Sequence, residues 1–214
     1  MKILIPTMGT RGDIQPYIAL SKKLIDSGFE VTIATHHCWK ELIESYNVKF
    51  VNVGPDIDIE YETAFIRGKS KNWIVGMIRT MGFVFKIIEE STFEIKELCS
   101  NADLVIASHS NIGAIEAEAC GVPFISVTLQ PDAIPKKKKR KSILDKLLGA
   151  IINPFMVGPY NRLRKVHGLK RITSFDQLLS PLLNIVPISP YVYPPMNFGK
   201  NKIKLLDTGL LMKA

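Results

Sequence analysis

Cysteine is scarce in this chain, and no stretch of it is both long and uniformly apolar. Three cysteines, Cys38, Cys99 and Cys120, are too few and too scattered for a disulfide framework, and an odd number leaves one unpaired. No apolar run approaches the roughly 20 residues of a membrane span, and the amino terminus lacks a leader pattern. These absences predict a protein that is neither secreted nor membrane-spanning, with the reducing cytoplasm as its expected compartment.

Several sequence signatures of known chemistry are also missing. The chain has no G-x-G-x-x-G dinucleotide fingerprint, no Walker loop and no G-x-S-x-G elbow, so neither ordinary nucleotide motif fits and a serine hydrolase has no support. His36, His37 and Cys38 are adjacent, but consecutive side chains diverge and no second ligand cluster stands at zinc spacing. We therefore expect no metal site and no cofactor.

The charge balance points away from nucleic acid. The net charge is +8, and six of these charges come from one run: Lys136, Lys137, Lys138, Lys139, Arg140 and Lys141. Nucleic-acid binding needs basic residues spread over a docking face with base-reading partners. The basicity is local, and we expect no nucleic-acid partner.

With 214 residues, of which 46% are hydrophobic, the chain suits one large domain, or at most two small ones, with a packed core. Short apolar runs alternate with helical periodicity, which predicts parallel pairing in a Rossmann-like, doubly wound α/β sheet. The predicted strands are Lys2–Pro6, Glu30–Ala34, Val48–Val53, Asp103–Ala107, Pro123–Val127 and Leu183–Ile188. The first predicted helix follows Gly12. The others span His37–Tyr46, Lys71–Leu98, Ile112–Cys120 and, with breaks, Ser142–Val166.

The loop after the first strand is the best candidate for a site, because ligands of open parallel sheets gather at the carboxyl ends of the strands. It offers two glycines, the Thr10 hydroxyl, the Arg11 cation and the Asp13 carboxylate. Asp13 also has a structural interpretation as a helix N-cap, although Pro16 would then lack the amide that such a cap often binds. Thr10 has a similar interpretation as a turn hydroxyl.

These residues resemble a known family. The opening Met-Lys-Ile-Leu-Ile-Pro-Thr-Met-Gly-Thr-Arg-Gly-Asp-Ile-Gln-Pro is similar to the N-terminal signature of glycosyltransferase family 28 and its relatives, which include sterol and antibiotic glucosyltransferases. The similarity continues through Ser27–Thr32, Asp103–Ala107 and Gly113–Pro123, and it touches Leu129–Pro131. It covers roughly the first 130 residues well and the remainder loosely.

The resemblance implies the N-terminal half of a GT-B fold, which holds the acceptor while a second domain holds the sugar nucleotide. We expect this domain to cover residues 1–202 and an interdomain linker to begin at residues 203–214. Asp13 would be the general base that activates an acceptor hydroxyl in an inverting transfer, with Thr10, Arg11 and Gly12 facing the donor diphosphate. The donor would be a nucleotide sugar, with uridine diphosphate as the expected carrier. Because the second domain's diphosphate loop is not in this sequence, we expect the chain alone to be inactive.

Two further residues are candidates for the acceptor side of that cleft. His109 follows the fourth strand and could contact the acceptor or relay a proton, or it could be an ordinary loop histidine. Gln130 lies in the last segment that the resemblance touches. We expect Glu116 and Glu118, by contrast, to lie on a solvated helix face.

The run Lys136–Lys141 has two interpretations. Beside the apolar segment Leu147–Val157, it could hold the domain against an anionic lipid surface and deliver a lipophilic acceptor, which would place the protein peripherally at the inner membrane face. It could equally be a solvated loop. A second function also stays open for the chain as a whole: a non-catalytic domain that binds a phosphate, a sugar or a partner protein.

Overall fold

The computed structural model describes residues 1–108, 111–129 and 157–187, together with the backbone of residues 203–205. The strands are β1 (Lys2–Pro6), β2 (Glu30–Thr35), β3 (Lys49–Asn52), β4 (Leu104–Ala107), β5 (Phe124–Val127), β6 (Asn184–Val186) and β7 (Ile203–Leu205). The helices are α1 (Arg11–Asp26), α2 (Lys40–Glu44), α3 (Ile59–Gly68), α4 (Trp73–Ser100), α5 (Ala114–Cys120) and α6 (157–166), with 3-10 turns at His37–Trp39 and Phe175–Leu178.

All seven strands pair in parallel, in the order β3-β2-β1-β4-β5-β6-β7. This arrangement confirms the predicted Rossmann-like, doubly wound sheet. Residues 203–205, which we expected to begin an interdomain linker, pair with β6 and therefore extend the sheet past residue 202. Within the described ranges, no helix combines the length and the hydrophobicity needed to cross a bilayer.

The sheet divides the core into two layers because successive side chains of a strand point to opposite faces. Ile3, Ile5 and Ile33 face the layer formed with α1. Leu4 and Val105 face the other layer, which is built with the carboxyl-terminal half of α4 and with α5. The helices thus cover both faces, as a parallel sheet requires.

The structure corrects the expectation for one of the two glutamates of α5. Glu116 is 2% exposed, not solvated. Glu118 is half-exposed and forms a bidentate ion pair with the buried guanidinium of Arg164 on α6, with N–O distances of 2.6 and 2.8 Å. Both side chains therefore join helices together, and periodicity alone could not show this because α5 has only seven residues.

Helix α3 was not predicted. The side chain of Asp58 accepts a hydrogen bond from the backbone N–H of Tyr61 and caps this helix. An Asp directly before an apolar residue is a recognised helix-start signal, so the sequence did contain a clue.

Candidate functional site

The candidate site lies where the strand order reverses. Strands β1 and β4 are neighbours, and the chain winds outward from them in opposite directions. In open α/β sheets the crevice at the carboxyl ends of such a strand pair is where ligands bind. The residues that follow β1, from Thr7 to Asp13, therefore lie at the edge of the sheet where a ligand site is expected.

The carboxylate of Asp13 is held in place by Thr10. Its Oδ2 atom accepts two hydrogen bonds of 2.9 Å, one from the backbone N–H of Thr10 and one from the Thr10 hydroxyl. Asp13 is half-buried, and it occupies the third position of α1. A carboxylate at this end of a helix is also favoured by the helix dipole. Thr10 thus fixes the orientation of a negatively charged group at the carboxyl edge of β1.

This geometry corrects the N-cap interpretation of Asp13. The N-cap of α1 is Thr10, whose backbone is extended, and Asp13 reaches back to it from within the helix. Pro16 is consequently the sixth helical residue, where it has no N–H to donate to the carbonyl of Gly12. The structural interpretation of Asp13 is therefore partly right, because the carboxylate does support the start of the helix. Asp13 does so from the third helical position and not from the N-cap position.

Two side chains that the sequence analysis missed brace the same loop. The indole Nε1–H of Trp39 donates to the carbonyl of Gly9 at 3.1 Å. Glu60, from the first turn of α3, accepts the backbone N–H of Arg11 through Oε1 at 2.8 Å. The loop is thus held from two elements that are distant in sequence, which no local motif could reveal.

Gly9 brings the backbone close to Asp13. Its φ of +143° lies in a region that L side chains rarely adopt, and a Cβ built there would stand 2.5 Å from Asp13 Oδ2. The side chain of Arg11 and residue Gly12 are exposed at the mouth of the loop. The structure therefore brings Thr10 and Asp13 together and leaves Arg11 and Gly12 facing outward.

His109, Gln130 and the basic run Lys136–Lys141 lie outside the described residues. Ser108, which directly precedes His109, is buried at the carboxyl end of β4 and accepts the backbone N–H of Asn111 through its carbonyl oxygen. This position places the start of the β4–α5 loop at the same edge of the sheet as Asp13.

The His-His-Cys triplet is separated by the fold. His36 is completely buried, and burial lowers the pKa of its ring, while a hydrogen bond to the carbonyl of Pro55 opposes that shift. His37 and Cys38 are exposed. Among the described residues, no group of three or more His, Cys, Asp or Glu side chains could hold a metal ion.

A second polar cluster is buried between α4, α5 and α6. The hydroxyl of Thr92 donates to the carboxylate of Glu116 and lies 2.7 Å from Nε2 of His167. Burial raises the pKa of Glu116, and hydrogen bonds from Thr92 and from backbone N–H groups only partly oppose this. Burial also lowers the pKa of His167, with a smaller contribution from Lys96. Both groups are thus driven toward their neutral forms.

We expect Glu116→Gln to change how stability depends on pH. Because the folded-state pKa of Glu116 is raised above 4.5, the folded wild type holds a proton that the unfolded chain has lost, so its stability falls as pH rises through that interval. Gln does not titrate. The variant should therefore gain free energy of unfolding relative to wild type as pH rises above 4.5, by about 1.4 kcal/mol for each tenfold difference in proton affinity between the folded and unfolded states.

Urea unfolding at several pH values measures this difference. The lowered pKa of His167 makes stability fall as pH drops below 6.5, but this contribution is common to both proteins. Glu97→Gln, on the exposed side of α4, reports the general effect of removing one carboxylate. A variant that loses stability relative to wild type as pH rises would contradict the assignment of a protonated, buried Glu116.

The sequence of this chain is similar to those of known proteins. Residues 3–132 match the model of the glycosyltransferase family 28 N-terminal domain. A sterol 3-beta-glucosyltransferase of Debaryomyces hansenii is 28% identical over 213 residues, covering 88% of this chain and 13% of that protein. Another sterol 3-beta-glucosyltransferase, from Yarrowia lipolytica, is 35% identical over 141 residues, covering 61% of this chain and 9% of that protein. The chain thus spans only a small part of these relatives.

Solved structures show the same fold. The Streptomyces sp. SF2575 glycosyltransferase SsfS6, complexed with thymidine diphosphate, superimposes with a TM-score of 0.60 at 20% identity, over 91% of this chain and 51% of that one. The fold therefore corresponds to about half of that glycosyltransferase. Since the family model covers more than half of the sequence and includes the whole β1–α1 site, the chain belongs to glycosyltransferase family 28 through its N-terminal domain.

Proposed function

We propose that this chain is the acceptor-binding domain of an inverting glycosyltransferase, which moves a sugar from a nucleotide-sugar donor to a hydroxyl on a lipophilic acceptor. The observation that carries the proposal is the Asp13 carboxylate, oriented by Thr10 at the carboxyl edge of β1 beside the reversal in strand order. Sterol glucosyltransferases among the relatives support a lipophilic alcohol as the acceptor.

Asp13 would act as the general base. The acceptor oxygen attacks the anomeric carbon, the bond from that carbon to the diphosphate breaks, and the hydroxyl proton passes to the Asp13 carboxylate. A carboxylate is too weak a base to deprotonate an alcohol in advance, so the proton moves as the hydroxyl becomes acidic in the transition state. The two hydrogen bonds from Thr10 would keep the carboxylate in position for that transfer.

The donor diphosphate would approach from the side of Arg11 and Gly12, which are exposed. The backbone N–H of Arg11 is already bonded to Glu60, so Arg11 would face an anion with its guanidinium rather than with that N–H. Most of the charge stabilisation for the departing diphosphate would come from a second domain, which the resemblance to the GT-B fold implies.

Product stereochemistry tests this function. The two-domain protein is incubated with an α-linked nucleoside-diphosphate sugar and a lipophilic alcohol, and the product is analysed by NMR. We expect a glycoside of the alcohol with the β configuration, because a single displacement inverts the anomeric centre. Transfer with retained configuration would contradict the single-displacement role of Asp13, and donor binding without any transfer would favour a non-catalytic domain.

A further inference from the structure

Thr10 is flanked by two peptide groups that are both held in place. The first joins the carbonyl of Gly9 to the N–H of Thr10, and the second joins the carbonyl of Thr10 to the N–H of Arg11. Because a peptide bond is planar and trans, the carbonyl and the N–H of one peptide group point in opposite directions. A hydrogen-bond partner at each end therefore fixes the orientation of the whole group.

The first peptide group lies between Trp39 and Asp13. Its carbonyl accepts the indole N–H of Trp39 at 3.1 Å, and its N–H donates to Oδ2 of Asp13 at 2.9 Å. The two hydrogen bonds form one chain from the indole through the peptide to the carboxylate, and bonds in such a chain polarise one another. Trp39 therefore acts on the Asp13 carboxylate through this peptide group.

The second peptide group is also bonded at both ends. Its N–H donates to Oε1 of Glu60 at 2.8 Å. Its carbonyl accepts the backbone N–H groups of Asp13 and Ile14, at 2.9 and 3.2 Å, which close the first turn of α1. With both flanking peptide groups fixed, the backbone of Thr10 has little freedom to rotate. The Thr10 hydroxyl is thus also aimed at Oδ2 of Asp13.

Trp39 and Glu60 are anchored in different layers of the core. The ring of Trp39 is half-buried and packs against the layer that contains α1. Glu60 directly follows Ile59, which is buried in the opposite layer and fixes the first turn of α3 there. The packing on both faces of the sheet therefore determines where the two peptide groups lie.

We propose that Trp39 and Glu60 are positioning residues for the reaction of Asp13. They would fix the two peptide groups beside Thr10 and, through them, the direction in which the Asp13 carboxylate meets the acceptor hydroxyl. The inference rests on the proposed function of Asp13 as the general base. Because a small misplacement of a reacting group costs a large factor in rate, losing either residue should lower kcat more than it weakens donor binding.

Trp39→Phe in the two-domain protein removes the indole N–H and keeps an aromatic ring in the core. We expect kcat to fall by about three- to tenfold, the rate equivalent of one net hydrogen bond, while the donor dissociation constant changes little. In an Asp13→Asn background, the same substitution should change the residual kcat by less than about twofold, because no base is left to misplace. An equal loss in both backgrounds would show a merely structural role and overturn the proposal.

Glu60→Ala tests the second peptide group and should lower kcat by about tenfold, because hydrogen bonds to an ionised acceptor are the stronger ones. Glu60→Gln is the conservative variant, and its amide oxygen can still accept the N–H of Arg11, so it should lose less than about threefold. Glu62→Ala, in the same turn of α3, is the matched control and should behave like wild type. Equal losses in Glu60→Ala and Glu60→Gln would contradict a role through this hydrogen bond.

Backbone hydrogen exchange, followed by NMR in the 214-residue chain, tests the same contacts without any transfer. Trp39→Phe should speed exchange of the Thr10 N–H by about fivefold or more, and Glu60→Ala should do the same for the Arg11 N–H. Trp73→Phe, the same substitution at an exposed tryptophan, should change neither rate. Wild-type exchange at Thr10 in Trp39→Phe would overturn the proposal.

The two kinds of measurement separate this inference from the proposed function. If Asp13→Asn lowers kcat as expected but Trp39→Phe and Glu60→Ala do not, the general base stands and the positioning role is refuted. If the exchange rates change as expected but the two-domain protein transfers no sugar, the proposed function fails although Trp39 and Glu60 do hold the loop.

Discussion

Asp13→Asn in the two-domain protein is expected to lower kcat by about 10²- to 10⁴-fold, the usual contribution of a positioned general base. Asparagine has nearly the same shape, and its carbonyl oxygen can still accept the N–H of Thr10, which preserves the start of α1. Its amide cannot take up the acceptor proton. The loss should therefore appear in turnover, while the dissociation constant of the nucleotide donor changes little.

Asp26→Asn is the matched control, because it removes the same charge from the opposite end of the same helix. It should leave turnover within about twofold of wild type, since surface substitutions away from a site have small effects. Turnover by Asp13→Asn close to that of the control would refute the base assignment. An equal loss of donor affinity and turnover would instead show that the carboxylate serves the donor.

Gly9→Ala is expected to damage both stability and activity. An alanine at this position must adopt a φ near +143°, and its Cβ would collide with the Asp13 carboxylate. We expect the free energy of unfolding to fall by about 1–3 kcal/mol, the range for backbone strain at positions that require glycine. In the two-domain protein, the displaced carboxylate should also reduce kcat at least tenfold.

Gly12→Ala separates this specific collision from a general effect of removing glycine. A Cβ on Gly12 would meet only Thr10 Oγ1, at an ordinary contact distance of 3.8 Å, inside a helix where alanine is favoured over glycine. Its free energy of unfolding should equal or exceed that of wild type. If urea unfolding gave the two variants the same stability, the close approach of Gly9 to Asp13 would not be a structural constraint.

The sequence analysis could predict the loop that forms the candidate site because the relevant signals are local. A buried strand, a glycine loop and a helical periodicity follow one another within the first 26 residues, and parallel pairing then fixes the edge of the sheet at which the loop lies. It could not supply Trp39 and Glu60, because their contacts with the loop depend on how the 3-10 turn His37–Trp39 and helix α3 pack, and sequence spacing carries no information about that packing.

The long helix α4 shows the same limit in another form. Periodicity correctly predicted its existence and its apolar face, but it could not distinguish Trp73, which is exposed, from Phe85, which is buried on the same face. The difference arises where the body of the domain ends, and this is a property of the tertiary structure. Glu116 was misjudged for a related reason: its hydrogen-bond donor, Thr92, comes from another helix and in turn contacts His167, which is distant in sequence.

The account depends most on the assignment of Asp13 as the group that receives the acceptor proton. A structure of the two-domain protein with acceptor bound tests it directly. We predict that the acceptor hydroxyl oxygen lies about 2.6–3.2 Å from a carboxylate oxygen of Asp13, while Thr10 keeps its two hydrogen bonds to Oδ2. An acceptor hydroxyl bonded to a different base, with Asp13 contacting only its own helix, would contradict the assignment.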